Sequence, residues 1–238
     1  MGGEGEPGWY FGYGANMATS VFIERRKISP LRAEVAWIPT HALCFNVQGI
    51  PYADPGNGGL RPLEAGCSNT RKAVHGVAYL LTKQDLKKVV LSEGGGIAYN
   101  VVQLDATLRR DESTIQVNTL MGRHNVTVAD ERLPSKRYMG VLIRGANEQS
   151  LPGWYQQRLA MQPTYEPGTS WWFRLGAKLF LWPWMRAGMI TERLVYKYQG
   201  PEGHVPAWFL FIFDCLLWLM WAQHDFIYGP IFGRGDGR

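Results

Sequence analysis

Apolar positions fall into short runs separated by polar or glycine-rich breaks, and the runs predict most of the elements. Trp9-Tyr10-Phe11 is an aromatic run of the kind that favours a pleated, half-buried strand, and it collapses at once into Gly12-Tyr13-Gly14-Ala15-Asn16-Met17. A helix-compatible segment, Ala18 to Lys27, follows. Arg32 to Gln48 carries β-leaning positions at Val35, Trp37, Ile38, Leu43, Phe45 and Val47, whereas Pro51 to Pro62 is dense enough in Gly, Pro, Asn and Asp to read as a loop. Ala73 to Leu81 reads as a buried strand. Thr82-Lys83-Gln84-Asp85 then opens a helix like a capping box, with Asp where Glu or Gln is commoner. Leu86, Val89 and Val90 give that helix one apolar face, and it runs out at Glu93-Gly94-Gly95-Gly96. Tyr99 to Leu108 and Thr114 to Leu120 predict two strands around the polar turn from Arg109 to Ser113. Leu151 to Met161 predicts a short helix packed through Trp154, Leu159 and Met161, and residues 1 to 8 read as a flexible lead-in.

From Pro167 onward the pattern changes. Trp171 to Ile190 mixes aromatics with Arg174, Lys178 and Arg186, and Pro183 interrupts it. That is the composition of an interfacial segment whose cations snorkel. Val205 to Ala222 is almost wholly apolar, broken by Asp214 and Cys215, and its length is near the minimum for a membrane span. About ten strongly apolar residues at roughly −0.5 kcal/mol each outweigh one central aspartate at about +3 kcal/mol, leaving a marginal gain. Trp208, Trp218 and Trp221 stand where interfacial anchors would. Asp214, Trp218, Trp221 and Asp225 also share one helical face, which suits docking onto protein or a homodimer contact equally well. Lys178, Arg186, Arg193 and Lys197 precede the stretch and only Arg234 and Arg238 follow it, so a span would leave the preceding domain in the cytosol. The expected organisation is a domain over 8–166 and an aromatic, apolar extension over 167–238, with 205–222 as the candidate membrane-associated helix.

Composition narrows the classes. A net charge of +5 is modest and the basic residues are scattered, so no footprint for nucleic acid is expected. Cys44, Cys67 and Cys215 lack Cys-x-x-Cys spacing, which argues against a disulfide framework and a zinc site. His41, His75, His124, His204 and His224 are dispersed and read as polar or core residues rather than ligands. The amino terminus has no apolar h-region, and Glu6 stands where myristoylation wants Ser or Thr, so a cytoplasmic, reducing setting is expected.

Two places suggest chemistry. A strand, a glycine turn and a helix start make an anion or oxyanion cradle, with Asn16 in the N-cap place; a plain strand-to-helix turn fits the same residues. Glu93 sits against the negative end of a helix dipole, which suits either a stray surface charge or a residue kept there as a base. Gly94 to Gly96 has the composition of an anion nest but lacks the following Lys-Ser/Thr of a P-loop. Met17 replaces the third glycine of a dinucleotide fingerprint, and neither Gly-x-Ser-x-Gly nor His-Glu-x-x-His occurs.

Tyr13-Gly14-Ala15-Asn16-Met17 resembles the Tyr-Gly-Ser-Asn-Leu signature of the γ-glutamylcyclotransferases. Val74-His75-Gly76-Val77-Ala78-Tyr79 is similar to the strand before that family's catalytic helix, and Leu91-Ser92-Glu93-Gly94 to the segment holding its catalytic glutamate. Pro134-Ser135-Lys136-Arg137-Tyr138, then Gly145-Ala146 and Leu151-Pro152-Gly153-Trp154-Tyr155, resemble its closing elements in the same order. The likeness covers roughly residues 8 to 165. It implies an α+β fold, a small β-barrel flanked by helices. It also implies attack of a γ-glutamyl α-amine on its own γ-carbonyl, giving 5-oxoproline and a free amine. Glu93 would be the general acid/base. Tyr13, Gly14, Ala15, Asn16, Met17, Tyr99 and Tyr138 would hold the small γ-glutamyl substrate, and no metal or cofactor is needed. The fungal gliotoxin-type branch, which processes glutathione-derived adducts, resembles the chain as well. A non-catalytic, membrane-associated binding protein on the same scaffold is the competing reading. Ala15 in place of the family's serine and the long extension are the departures.

Overall fold

A computed structural model describes residues 6–64 and 70–238. Cys67 and residues 1–5 of the expected lead-in lie outside the described residues. The strands are β1 (Gly8–Gly12), β2 (Arg32–Ile38), β3 (His41–Ile50), β4 (Asp54–Pro62), β5 (Val74–Leu81), β6 (Tyr99–Leu108) and β7 (Thr114–Gly122). The helices are α1 (Lys83–Ser92), α2 (Lys136–Glu148), α3 (Gly153–Ala160), α4 (Trp171–Tyr198), α5 (Ala207–Gln223) and the single turn α6 (Gly229–Phe232).

Period-two alternation in β1 sends Tyr10 to one core and Phe11 to another. Phe11 faces the interior of a closed barrel in the order β1-β5-β2-β6-β7, filled with Ile38, Val74, Ala78, Leu108 and Val117. Neighbouring strands are antiparallel except where β7 returns parallel to β1, with Phe11 opposite Thr119. The Thr119 hydroxyl donates to the Phe11 carbonyl at 2.9 Å across that seam. Closure leaves the barrel no free edge. Tyr10 faces the other way, into a core with Met17, Phe22, Tyr79, Val89, Leu142 and Tyr155 that joins α1, α2 and α3 to the barrel. Helix α2 can lie on the turn after β1 because Gly145 has no side chain: a Cβ there would stand 2.7 Å from the Ala18 nitrogen.

Several expectations are corrected. Pro51 to Pro62 is not a loop, since β4 pairs antiparallel with β3. Its glycines serve close approach: a Cβ on Gly56 would meet the Arg132 carbonyl at 2.3 Å, and one on Gly59 the Asn46 side chain at 2.0 Å. Gly8 is the first residue of β1 rather than lead-in. Ala18 to Lys27 contains a π-helical turn (Ser20–Arg25) rather than a regular helix. In α3 Trp154 and Leu159 pack as expected and Tyr155 joins them, but Met161 is 71% exposed. Pro183 does not interrupt its segment. It lies inside α4, on the exposed side together with Leu179, whose carbonyl it leaves without the usual helical donor. The face shared by Trp218 and Trp221 divides, with Trp218 72% exposed and Trp221 buried.

The extension is sewn to the barrel domain at three places. Tyr52, between β3 and β4, packs against Phe173, Phe180 and Trp221. Its amide donates to the Gly235 carbonyl and its hydroxyl to the Gly233 carbonyl. Beside it Arg132 pairs with Asp236, both buried, and the guanidinium lies 4.9 Å from the Trp221 ring. Val195, Val205 and Phe209 cover Leu91 and Ile97 near the end of α1. At mid-α5, Asp214 accepts from Arg123 through both oxygens and lies 3.1 Å from the His124 Nε2.

Candidate active site

Past Gly12 the chain turns through Tyr13 and Gly14 into one 3-10 turn, Ala15–Met17. Tyr13 is fixed by its hydroxyl, which donates to the Leu120 carbonyl at 2.6 Å. The Tyr138 hydroxyl hangs over Gly14, 3.3 Å from where a Cβ would sit, and accepts the Gly58 amide at 3.1 Å. The Tyr99 hydroxyl donates to the Gly58 carbonyl at 3.0 Å. Tyr13, Gly14, Asn16, Tyr99 and Tyr138 thus line one cleft with Tyr10, Gly58 and Leu120. Ala15 and Met17 do not line that cleft, and Met17 is buried in the core behind it. Gly58 escaped the sequence reading because it lies in the glycine-rich stretch taken for a loop.

Asn16 is not the N-cap. Gly14 holds that place, without a side-chain cap. The Asn16 amide nitrogen instead donates to the Tyr10 hydroxyl at 2.7 Å and to Glu93 Oε1 at 3.0 Å. Thr82 caps the start of α1 through Asp85, as its motif predicts, and Glu93 caps the end. Arg26 Nη1 approaches the same Glu93 oxygen to 2.6 Å and donates to Ser92 Oγ at 2.8 Å. Arg26 belongs to no recognisable motif, so only the fold reveals it. Both contacts use Oε1, which leaves Oε2 without a protein partner among the described residues. The amides of Ala15 and Asn16 are likewise unengaged there, and Asn16 Oδ1 is buried without a partner.

Burial raises the Tyr10, Tyr13 and Tyr99 phenols well above their ordinary range. Tyr138 is pushed up to about 12, by burial first and by the Glu93 charge, against the opposing Gly58 bond. These rings therefore stay protonated near neutrality. Among the described residues, Glu93 is the one carboxylate hydrogen-bonded to a residue of the cleft.

Residues 64–159 match the model of the AIG2-like family, and residues 170–231 match that of the AclK C-terminal domain. The "Gamma-glutamyl cyclotransferase gliK" of Claviceps purpurea is 72% identical over 222 residues, covering 93% of this chain and all of that protein. The chain belongs to the γ-glutamyl cyclotransferase family. The protein of the same name from Aspergillus fumigatus is 34% identical over 97% of this chain and 89% of its own length. A solved structure named "Gamma-glutamyl cyclotransferase" shares the fold, with a TM-score of 0.56 and 20% identity over 69% of this chain and 92% of that one.

Other features of this family member carry less chemistry. Gly94, Gly95 and Gly96 have φ of 89°, 61° and 99°, but they form a helix exit and not an anion nest. The amides of Gly94 and Gly95 return to Leu91 and Val90, and the Gly95 carbonyl takes the Val205 amide. A larger cavity, about 700 Å³, lies between Tyr52 and α4, with Phe173, Trp182 and Arg186 on its walls and neither carboxylate nor histidine to move a proton. His224, Asp225 and Asp236 bring ligand atoms within 4.8 Å of one another. Arg132 and Arg234 already pair with Asp236, and Arg234 also reaches Asp225, so the cluster is charge-balanced without a cation.

Proposed function

We propose that this cyclotransferase releases 5-oxoproline and a free amine from a γ-glutamyl amide, with Glu93 moving the proton. In this reading the substrate α-ammonium hands its proton to Glu93 Oε2, and Asn16 Oδ1 is free to orient the same nitrogen. The amine then attacks the γ-carbonyl carbon, forming the ring bond, and the carbonyl electron pair moves onto oxygen. The unengaged amides of Ala15 and Asn16 are donors of the kind that stabilise such an oxyanion. Collapse breaks the old C–N bond while Glu93 returns its proton to the departing nitrogen. The second proton of the ring nitrogen then passes through Glu93 to the freed amine, which leaves as the ammonium beside neutral 5-oxoproline. Holding the glutamyl group folded on itself contributes several kcal/mol on its own. The cleft has only about 30 Å³ of free space, roughly one water's share, so the rings over Gly14 and Gly58 must part to admit the substrate.

The observation that carries the reading is Glu93, linked through Asn16 to the cleft with one oxygen held and the other free. Purified protein incubated with γ-glutamyl dipeptides, glutathione and a bulky glutathione adduct should release 5-oxoproline from at least one of them. Glu93→Gln should lower turnover roughly 10²–10⁴-fold while keeping the parent's circular dichroism and melting curve. Near-normal turnover in that variant would remove Glu93 from the mechanism.

The extension supports association with a membrane surface, the catalytic domain remaining in the cytosol. The helical stretch Ala207–Phe232 is long and apolar enough to cross a bilayer by length and composition. Its first half is tied to the barrel through Asp214 and Arg123, which favours lying on the surface over spanning it. Trp171, Trp182, Trp218 and Phe226 stand exposed, with Lys178 and Arg186 nearby in sequence to meet anionic headgroups. Flotation with vesicles containing phosphatidylserine should carry the protein upward. Self-association with no vesicle binding would favour a dimer contact instead.

A further inference from the structure

The cleft can seat a glutamyl group once its rings part, but everything beyond the scissile bond must go elsewhere. Two adjoining cavities of about 470 and 200 Å³ run between the end of α1 and α4, sharing Leu91, Ser92, Glu192 and Tyr196 as walls. Glu93 lines neither of them, but the residues on either side of it do. Ser92 lines both and Gly94 the smaller one, and Arg26 lines the larger one while its Nη1 holds Glu93 Oε1.

We propose that this groove holds the leaving amine, and that the extension thereby selects amines carrying a carboxylate and a large apolar substituent. The inference rests on the cyclotransferase reading above. Its first support is charge. Arg25, Arg26 and Lys88 line the larger cavity with Glu192 as the acid on its walls, and Arg26 is paired with Glu93 and Lys88 with Asp85. Arg25 has no ionic partner among the described residues, and the Arg26 Nε is buried without one. An anionic group entering the larger cavity would therefore find in Arg25 a cation that no carboxylate among the described residues answers. Its second support is the change of character along the groove. The smaller cavity is walled by Ile97, Val195 and Phe213 and carries little polar surface, which suits an aliphatic or aromatic group and not a second charge. Both walls contributed by α4 and α5 come from the extension, so a barrel domain lacking it would leave this half of the substrate in water.

Two positions test the groove with little risk to folding. Gly188 lines the apolar end, and a Cβ there meets nothing within 4 Å, so Gly188→Trp fills the space without a clash at the backbone. Arg25 is exposed, so Arg25→Glu reverses the charge at the other end. The substrates are γ-glutamyl-S-benzylcysteine, its carboxamide and γ-glutamylalanine, followed by 5-oxoproline release. The parent should prefer the first over each of the others by about tenfold or more in kcat/KM. Gly188→Trp should erase the preference over γ-glutamylalanine, acting mainly through KM. Arg25→Glu should erase the preference over the carboxamide. If 5-oxoproline is released and both ratios stay where the parent has them, the groove assignment is overturned and the cyclotransferase reading stands. If neither these three nor glutathione and its bulky adduct release 5-oxoproline, both are overturned; release from glutathione alone overturns the groove and leaves the cyclotransferase reading.

Discussion

Replacing Asp236 with asparagine tests how firmly the extension is bound to the catalytic domain. The Asp236 and Arg132 side chains are 1% and 3% exposed, and the substitution leaves the Arg132 charge buried with only the Trp221 ring beside it. Breaking a buried pair in this way costs about 3–5 kcal/mol. Arg234 also reaches Asp236, at 3.3 Å, but it is half exposed and its share is small. At about 2–4 °C per kcal/mol for a chain of this size, the melting temperature at pH 7 should fall by roughly 6–20 °C. The double replacement Arg132→Met, Asp236→Leu should recover most of that, because no charge is then stranded. Burial pushes the Asp236 carboxyl up, but Arg132 and Arg234 outweigh it and hold the group below its ordinary value. A depressed folded pKa means that the contribution is present above the unfolded value, about 3.9, and is lost as pH falls through the folded one. Parent and variant should therefore converge in acid. The assay is thermal unfolding followed by circular dichroism from pH 3 to pH 8. A loss under about 2 °C at pH 7, or a gap that widens in acid, would refute the reasoning.

Truncation after Pro167 should give an insoluble or unfolded product and not a free-standing domain, because it strips cover from Tyr52 and leaves Arg132 unpaired; soluble, active material would contradict this. Gly14→Val should cut kcat at least tenfold with little change in melting temperature. The damage comes from driving the Tyr138 ring off its bond to Gly58. Ala15→Ser should change kcat by less than about threefold, since the main-chain donors remain. Asp214→Leu should release α5 from Arg123 and increase the fraction floating with phosphatidylserine vesicles; unchanged flotation would separate that ion pair from membrane contact.

The strands were legible wherever the local pattern and the tertiary need agreed. Residues 74–81 carry an apolar run because β5 sits between β1 and β2 with its faces covered, and the Thr82 cap was readable because it acts over three residues. Failures came where a residue answers to a partner far along the chain. The glycines of β4 look like loop residues, but they are small because Arg132 and Asn46 press on them. Asn16 reads as a cap from its neighbours, whereas its partner Glu93 lies 77 positions away. Arg26 gave no signal, since a basic residue at the end of a short polar segment is common. For the extension the sequence left membrane contact and docking onto protein equally open, and its ties to Tyr52 and Arg132 depend on tail residues that no pattern singles out.

The parallel seam between β1 and β7 bears on how the protein is made. Phe11 and its partner Thr119 are separated by 108 positions. At a ribosomal rate of about 5–20 residues per second, roughly 5–20 s pass between synthesis of β1 and synthesis of the strand that closes the barrel. For that interval one edge of a strongly aromatic strand lacks its native neighbour and is open to pairing with other chains. Holdase chaperones, slow translation or low temperature during expression should therefore raise the soluble yield more than stabilising substitutions in α4 or α5, which act only after closure.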